Sequence, residues 1–245
     1  MEKINKAHKI PQRKNIFEAI YSKISKPISV VLFKTFLTPN QITIISGLFG
    51  IIGAYLLTCD DKINLIYAAI FIQLFTILDL VDGDIARMKG MQSYFGKWLD
   101  IQFDKFNDLL IILGLSVGVF LRTNNISALY LGIILMGLVF FIQFSMVMNS
   151  IIHRESEKNN KSDRNNLFYE KKEMIKNIPL FYKVKKIISK HLLLEHCTFL
   201  FFVSFFVIIN QIEWGLWFLV CHAFLTYLYV TVITGIRIIM NSSSS

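Results

Sequence analysis

The chain alternates long apolar runs with short polar breaks. Six runs are long enough for helices that cross a bilayer, which takes about 20 mostly apolar residues. They fall roughly at 39–59, 63–86, 97–121, 125–152, 194–211 and 213–240. The breaks at 59–63, 121–125 and 211–213 are so short that the runs they join are expected as antiparallel helical pairs. Ahead of the first run, residues 14–37 set Ile16, Ile20, Ile24, Ile28 and Val31 on one side, with Lys14, Lys23, Lys26 and Lys34 interleaved. That pattern predicts an amphipathic helix lying on the membrane surface and bent at Pro27. Thr38-Pro39 then offers an N-cap and a proline at the first helical position of the first span. Residues 153–193 are the only long polar segment, a loop between the fourth and fifth spans whose second half mixes apolar residues at helical spacing with lysines and predicts another interfacial helix. The expected fold is therefore all-α: an N-terminal segment 1–37, a six-helix transmembrane bundle over 38–240, and a tail at 241–245.

Composition and charge strengthen this reading. The 245 residues are 54% hydrophobic, with a mean hydropathy of +0.52, which is too apolar for an ordinary soluble domain. The net charge of +9 is unevenly placed. Residues 1–37 hold eight Lys or Arg, 87–97 hold three and 153–195 hold eleven, with Arg237 near the end, whereas only Lys62 and Arg122 fall on the opposite side. The positive-inside rule predicts a multi-pass protein with both termini in the cytoplasm. The basic segments suit anionic lipid headgroups, and with no soluble domain to display a basic patch, nucleic acid is not expected as a partner. The long, polar, basic start does not read as a signal peptide. Cys59, Cys197 and Cys221 have no metal-type spacing and are expected to pack as small apolar residues.

One stretch breaks the apolar pattern. DLVDGDIARMKGMQSYFGKWLDIQFDK, residues 79–105, carries Asp79, Asp82, Asp84, Asp100 and Asp104, with Asp108 just beyond. Asp79, Asp82, Gly83, Ala86 and Arg87 share one helical face, and Gly96, Asp100 and Asp104 share one face of the next helix. A short turn joins the two, so four carboxylates can meet near the cytoplasmic end of the hairpin. Each carboxylate at membrane depth costs about 2.5–3.5 kcal/mol, and four together repel. Two divalent cations would offset that charge. Oxygen donors without nearby Cys or His suit Mg²⁺, with Mn²⁺ or Ca²⁺ also compatible, and paired metals suit phosphoryl chemistry. The small residues Gly83, Ala86 and Gly96 leave room for a flat nucleotide. The alternative is a cation-binding transporter without catalysis, but acids in such pathways are usually strung through the membrane rather than gathered at one surface.

The pattern D-x2-D-G-x2-A-R-x8-G-x3-D-x3-D, complete in this sequence at Asp79, Asp82, Gly83, Ala86, Arg87, Gly96, Asp100 and Asp104, resembles the signature of the CDP-alcohol phosphotransferase (CDP-alcohol phosphatidyltransferase) family. The resemblance extends to the TPNQIT start of the first span. It implies transfer of a phospho-alcohol group from a CDP-alcohol donor, such as CDP-diacylglycerol, to an alcohol acceptor, with release of CMP. It implies two metal ions held by Asp79, Asp82, Asp100 and Asp104, with Asp104 also the base. It places the nucleotide at Asp82, Gly83, Ala86, Arg87 and Gly96, and it implies a homodimer. LDIQFDK is nearest to the L-D-S-x2-D-R of inositol-phosphate-transferring members, though it lacks the Ser and the Arg. The expected acceptor is therefore a polyol phosphate such as inositol phosphate, with Lys105, Arg154 and Arg237 as candidate grips. Asp84, off the motif face, is expected to be solvated or lysine-paired. Asp108 is expected to orient Lys105, and His222 to be buried and bonded to a neighbour. The Gly114-x3-Gly118 pair suits close helix packing.

Overall fold

The computed structural model describes residues 16–159 and 195–242. Among them every regular element is a helix: α1 (Ile16–Phe33), α2 (Pro39–Leu56), α3 (Lys62–Lys89), α4 (Tyr94–Thr123), α5 (Ser127–Asn159), α6 (His196–Ile208) and α7 (Ile212–Ser242). Five of these, α2, α3, α4, α5 and α7, contain segments long and apolar enough to cross a membrane. The run expected at 194–211 appears as the 13-residue α6, about 20 Å at 1.5 Å per residue. It stops at Ile208 because Asn210 turns into the left-handed region (φ 57°). There the Gln211 amide donates to the Phe206 carbonyl at 2.9 Å. The second interfacial helix expected within 153–193 lies outside the described residues. So do the side chains of His153, Arg154 and Arg237.

Helix ends follow local chemistry. Thr38 caps α2 in a reciprocal capping box with Gln41, and Pro39 occupies the first turn. Gly90 closes α3 with φ 68°, a conformation that glycine adopts without a Cβ penalty. Three residues on, Ser93 Oγ accepts from the Gly96 amide at 2.9 Å and starts α4.

The chain forms two compact units. Among the described residues the first comprises 16–136 and 195–219, the second 137–159 and 220–242. In the first, α3 packs against α1, α2 and α6, and α2 packs along both α3 and α4. Gly114 and Gly118 let α4 approach α2 until it touches the Ala54 and Leu57 carbonyls, where a Cβ would collide. The glycine pair thus serves packing within the chain. Ile42, Val81 and Ile85 form a buried apolar cluster that also gathers Ile28, Leu32 and Leu37, and it anchors the end of α1 against the hairpin. In the second unit, the Phe141 and Tyr227 rings lie 6.1 Å apart.

Helix α1 forms with Pro27 inside it. Its buried face is the small and polar one, Tyr21, Ser22, Ser25 and Ser29, while Ile16, Ile20, Ile24 and Val31 are exposed. Tyr21 donates to Gln73 of α3 and tethers the two helices. Cys197 is buried, Cys59 half-buried and Cys221 exposed, so only the first packs as expected. His222 is half-buried.

Candidate functional site

The α3–turn–α4 hairpin builds the site. Asp79 and Asp82 lie one turn apart on α3, and Asp100 and Asp104 one turn apart on α4. The two helices make few close backbone approaches, so the carboxylates reach across a gap. Two donor groups result. Asp79, Asp82 and Asp100 form one, and Asp79, Asp104 and His196 the other, with the ligating atoms of each group within 4.8 Å of one another. Asp79 belongs to both. Like charges at these separations oppose one another strongly in a medium of low dielectric, and a divalent cation relieves that repulsion. A donor set of four carboxylates suits hard ions of the Mg²⁺ or Mn²⁺ type, so the residues fit the expected pair of ions.

Neighbouring side chains hold the carboxylates. The Thr43 hydroxyl of α2 donates to Asp82 Oδ2, and both groups are buried. Asp108, one turn beyond Asp104, accepts from Lys105 at 3.3 Å, as expected. It also meets His196 Nδ1 at 2.9 Å. His196 Nε2 stands 3.7 Å from Asp104 Oδ1, and the Phe75 ring packs edge-on against the imidazole with centroids 5.4 Å apart. Sequence reading missed His196. It sits on α6, outside the motif, and one histidine opening an apolar helix carries no period. The only available signal was its position at the start of the run expected at 194–211.

Asp84 corrects the sequence expectation. It is fully buried rather than solvated, and it pairs with Arg87 at 2.5 Å. Facing away from the carboxylate cluster placed it inside the bundle, and Arg87, three residues on, folds back to meet it.

A cleft of about 620 Å³ opens beside the carboxylates. Asp82, Gly83, Ala86, Arg87, Gly96 and Asp100 line it, together with Asn40, Thr43, Tyr94 and Lys97. The structure thus brings the five residues expected around a nucleotide into one cavity. At Gly96 an added Cβ would come within 2.9 Å of Asn40 Oδ1, so this wall tolerates no side chain without displacing Asn40. Lys105 does not line the cleft. Its side chain is 41% exposed and turned to Asp108.

Comparison with known proteins converges on one family. A family model described as CDP-alcohol phosphatidyltransferase matches residues 36–168. The chain is 36% identical over 85 residues to a phosphatidylinositol phosphate synthase of Corynebacterium glutamicum, covering 35% of this chain and 38% of that protein. It is 33% identical over 106 residues to an archaetidylinositol phosphate synthase of Pyrococcus horikoshii, covering 42% and 55%. These matches span from under two fifths to just over half of the relatives' length. The crystal structure of Mycobacterium tuberculosis phosphatidylinositol phosphate synthase with CDP-DAG bound shares the fold. Its TM-score is 0.59 at 18% identity, over 86% of this chain and 94% of that one. The same Mycobacterium tuberculosis enzyme in complex with manganese and citrate gives a TM-score of 0.57.

Proposed function

The chain belongs to the CDP-alcohol phosphatidyltransferase family, and from that premise we propose that it moves a phospho-alcohol group from a CDP-alcohol to an acceptor hydroxyl and releases CMP. The observation that carries this reading is the convergence of Asp79, Asp82 and Asp100 at the edge of a cleft floored by Gly83, Ala86 and Gly96. Asp79, Asp82, Asp100 and Asp104 would hold two Mg²⁺ ions, or Mn²⁺ in their place. Bound there, the ions supply positive charge to the phosphate oxygens and to the departing CMP.

The chain's own residues do the rest. Gly83, Ala86 and Gly96 let the nucleotide lie against the helix backbones, with Arg87 at the rim. The site holds the acceptor hydroxyl in line with the phosphorus that bears the donor alcohol, and this positioning supplies much of the rate. Asp104 takes the hydroxyl proton as the new P–O bond forms. The P–O bond to CMP breaks, and its electron pair leaves with CMP.

The proposed donor is CDP-diacylglycerol and the proposed acceptor a polyol phosphate such as inositol phosphate. The LDIQFDK segment and the names of the two relatives support this choice. Lys105 keeps exposed donor positions that suit an anionic acceptor, with Arg154 and Arg237 as its proposed companions.

We take the bundle to cross the membrane six times, with termini and site cytoplasmic. From Asp108, α4 runs 15 residues to Thr123, about 22 Å. Helix α6 starts beside Asp108, at His196, and runs about 20 Å over its 13 residues. Its length therefore matches the remaining depth of the membrane on the far side of the site. In the same frame, α1 lies on the cytoplasmic surface with its exposed isoleucines against lipid, and the working unit is a homodimer, as the family resemblance implies.

The acceptor is tested by CMP release from CDP-diacylglycerol by detergent-purified protein with Mg²⁺. The acceptors would be inositol phosphate, glycerol phosphate and serine. Release with inositol phosphate is expected. Release with one of the others alone would reassign the acceptor. Retained CDP binding without release would point to another CDP-alcohol donor. Loss of both in folded protein would contradict the enzyme reading and favour a cation-binding transporter.

A further inference from the structure

We propose that His196 is itself a metal ligand, so that one of the two cation positions is a mixed nitrogen–oxygen site made by Asp79, Asp104 and the imidazole Nε2. This rests on the metal-dependent reading above and extends it to a residue outside the aspartate motif. Ionised Asp108 has only acceptor atoms, so the hydrogen between it and His196 belongs to Nδ1. As a metal ligand the ring is neutral, and with the hydrogen on Nδ1 its lone pair lies at Nε2. That atom is shut off from solvent and has no hydrogen-bond partner among the described residues, a costly arrangement for a buried polar group. It points at Asp104 Oδ1 from 3.7 Å, too far for a hydrogen bond. Two ligands at bonds of about 2.1 Å to one ion stand about 3 Å apart at right angles and about 4.2 Å apart when opposite, so the spacing fits a shared cation. The Asp79 carboxylate completes the group.

The support behind the ring is of the kind metal-binding histidines use. A carboxylate on the far nitrogen sets the tautomer and the ring plane, and here Asp108 fills that role while Lys105 holds Asp108 from its other oxygen. The edge of Phe75 restricts rotation of the imidazole. An imidazole ligand also shifts preference away from Mg²⁺, which favours oxygen, toward Mn²⁺ and later first-row ions.

The test is pulsed electron paramagnetic resonance on the purified full chain loaded with Mn²⁺ below one equivalent, without nucleotide. The expected result is echo modulation from a directly bound ¹⁴N. It should change frequency when the protein is grown with ¹⁵N-histidine and vanish in His196→Gln, while His222→Gln retains it. Mn²⁺ affinity in His196→Gln should fall about tenfold or more. Bound Mn²⁺ with no nitrogen modulation in the wild-type chain would overturn the proposal, and this measurement stands even if the variant fails to fold. Modulation that persists in His196→Gln would overturn it equally. If the chain bound no Mn²⁺ at all, the metal-dependent reading itself would fall.

Discussion

Thr43 gives its hydroxyl hydrogen to Asp82, and this buried contact fixes one of the four carboxylates from a third helix. Partners of this kind set how a ligand points, and their loss typically costs about 10–100-fold in metal affinity or activity. Thr43→Val keeps the shape and removes the donor. It is expected to weaken Mn²⁺ binding about tenfold, read by titration, with the thermal unfolding temperature in detergent little changed. At this scale the motif aspartates were legible because the chemistry repeats at helical spacing. Asp84 was not, since its place depended on whether the far side of α3 met lipid, water or protein. His196 was not, because it is brought to Asp104 by the packing of α6 beside α3, which no local pattern encodes.

Among the elements, α2 is the spine on which the hairpin arms rest. It packs along α3 and along α4, while the arms stay apart around the carboxylates. The closest approach is at Gly118, where the Leu57 carbonyl occupies the space that a Cβ would need. Gly118→Leu is expected to push α4 away from α2 and destabilise the fold by about 1–3 kcal/mol, the usual cost of overpacking. A drop in unfolding temperature and in monodispersity would register it, with Gly137→Leu as control, since among the described residues nothing lies within 4 Å of a Cβ placed there. Helix positions were readable from runs of apolar residues and from caps such as Thr38 and Ser93. The burial of α1 was readable only in part. Its isoleucines mark an apolar stripe, but Ile16, Ile20 and Ile24 are exposed, only Ile28 reaches the buried cluster, and the serine face is buried. Hydropathy patterns alone cannot distinguish a side that faces lipid from one that faces protein. The 194–211 run likewise looked like a full span, whereas Asn210 ends the helix early.

For the whole molecule, the charge asymmetry and the helix order make a joint prediction about sidedness. The Gly90–Ser93 turn belongs on the cytoplasmic side, and the Asn124–Asn125 turn on the other. In a background without native cysteines, Ser93→Cys should react with a membrane-impermeant maleimide only from the cytoplasmic face, and Asn125→Cys only from the opposite face. Labelling of both from one side would break the proposed topology. The membrane class and family were legible in the sequence because both rest on local signals, namely apolar run length and fixed motif spacing. The cleft was not, because Asn40 opens α2 while Tyr94 and Lys97 open α4, and only the folded bundle brings these two helix starts together.

The proposal that the carboxylates of α3 and α4 form a metal-dependent transfer centre stands or falls on CMP release. Wild-type protein and Asp79→Asn would be assayed with CDP-diacylglycerol and inositol phosphate, each with Mg²⁺ and with excess chelator. Asp79 belongs to both donor groups, so its loss should disturb both cation positions. Wild type should release CMP with Mg²⁺ and none above background with chelator, and Asp79→Asn should fall about 100-fold or more. Release that survives chelation, or that Asp79→Asn leaves unchanged, would contradict the proposal.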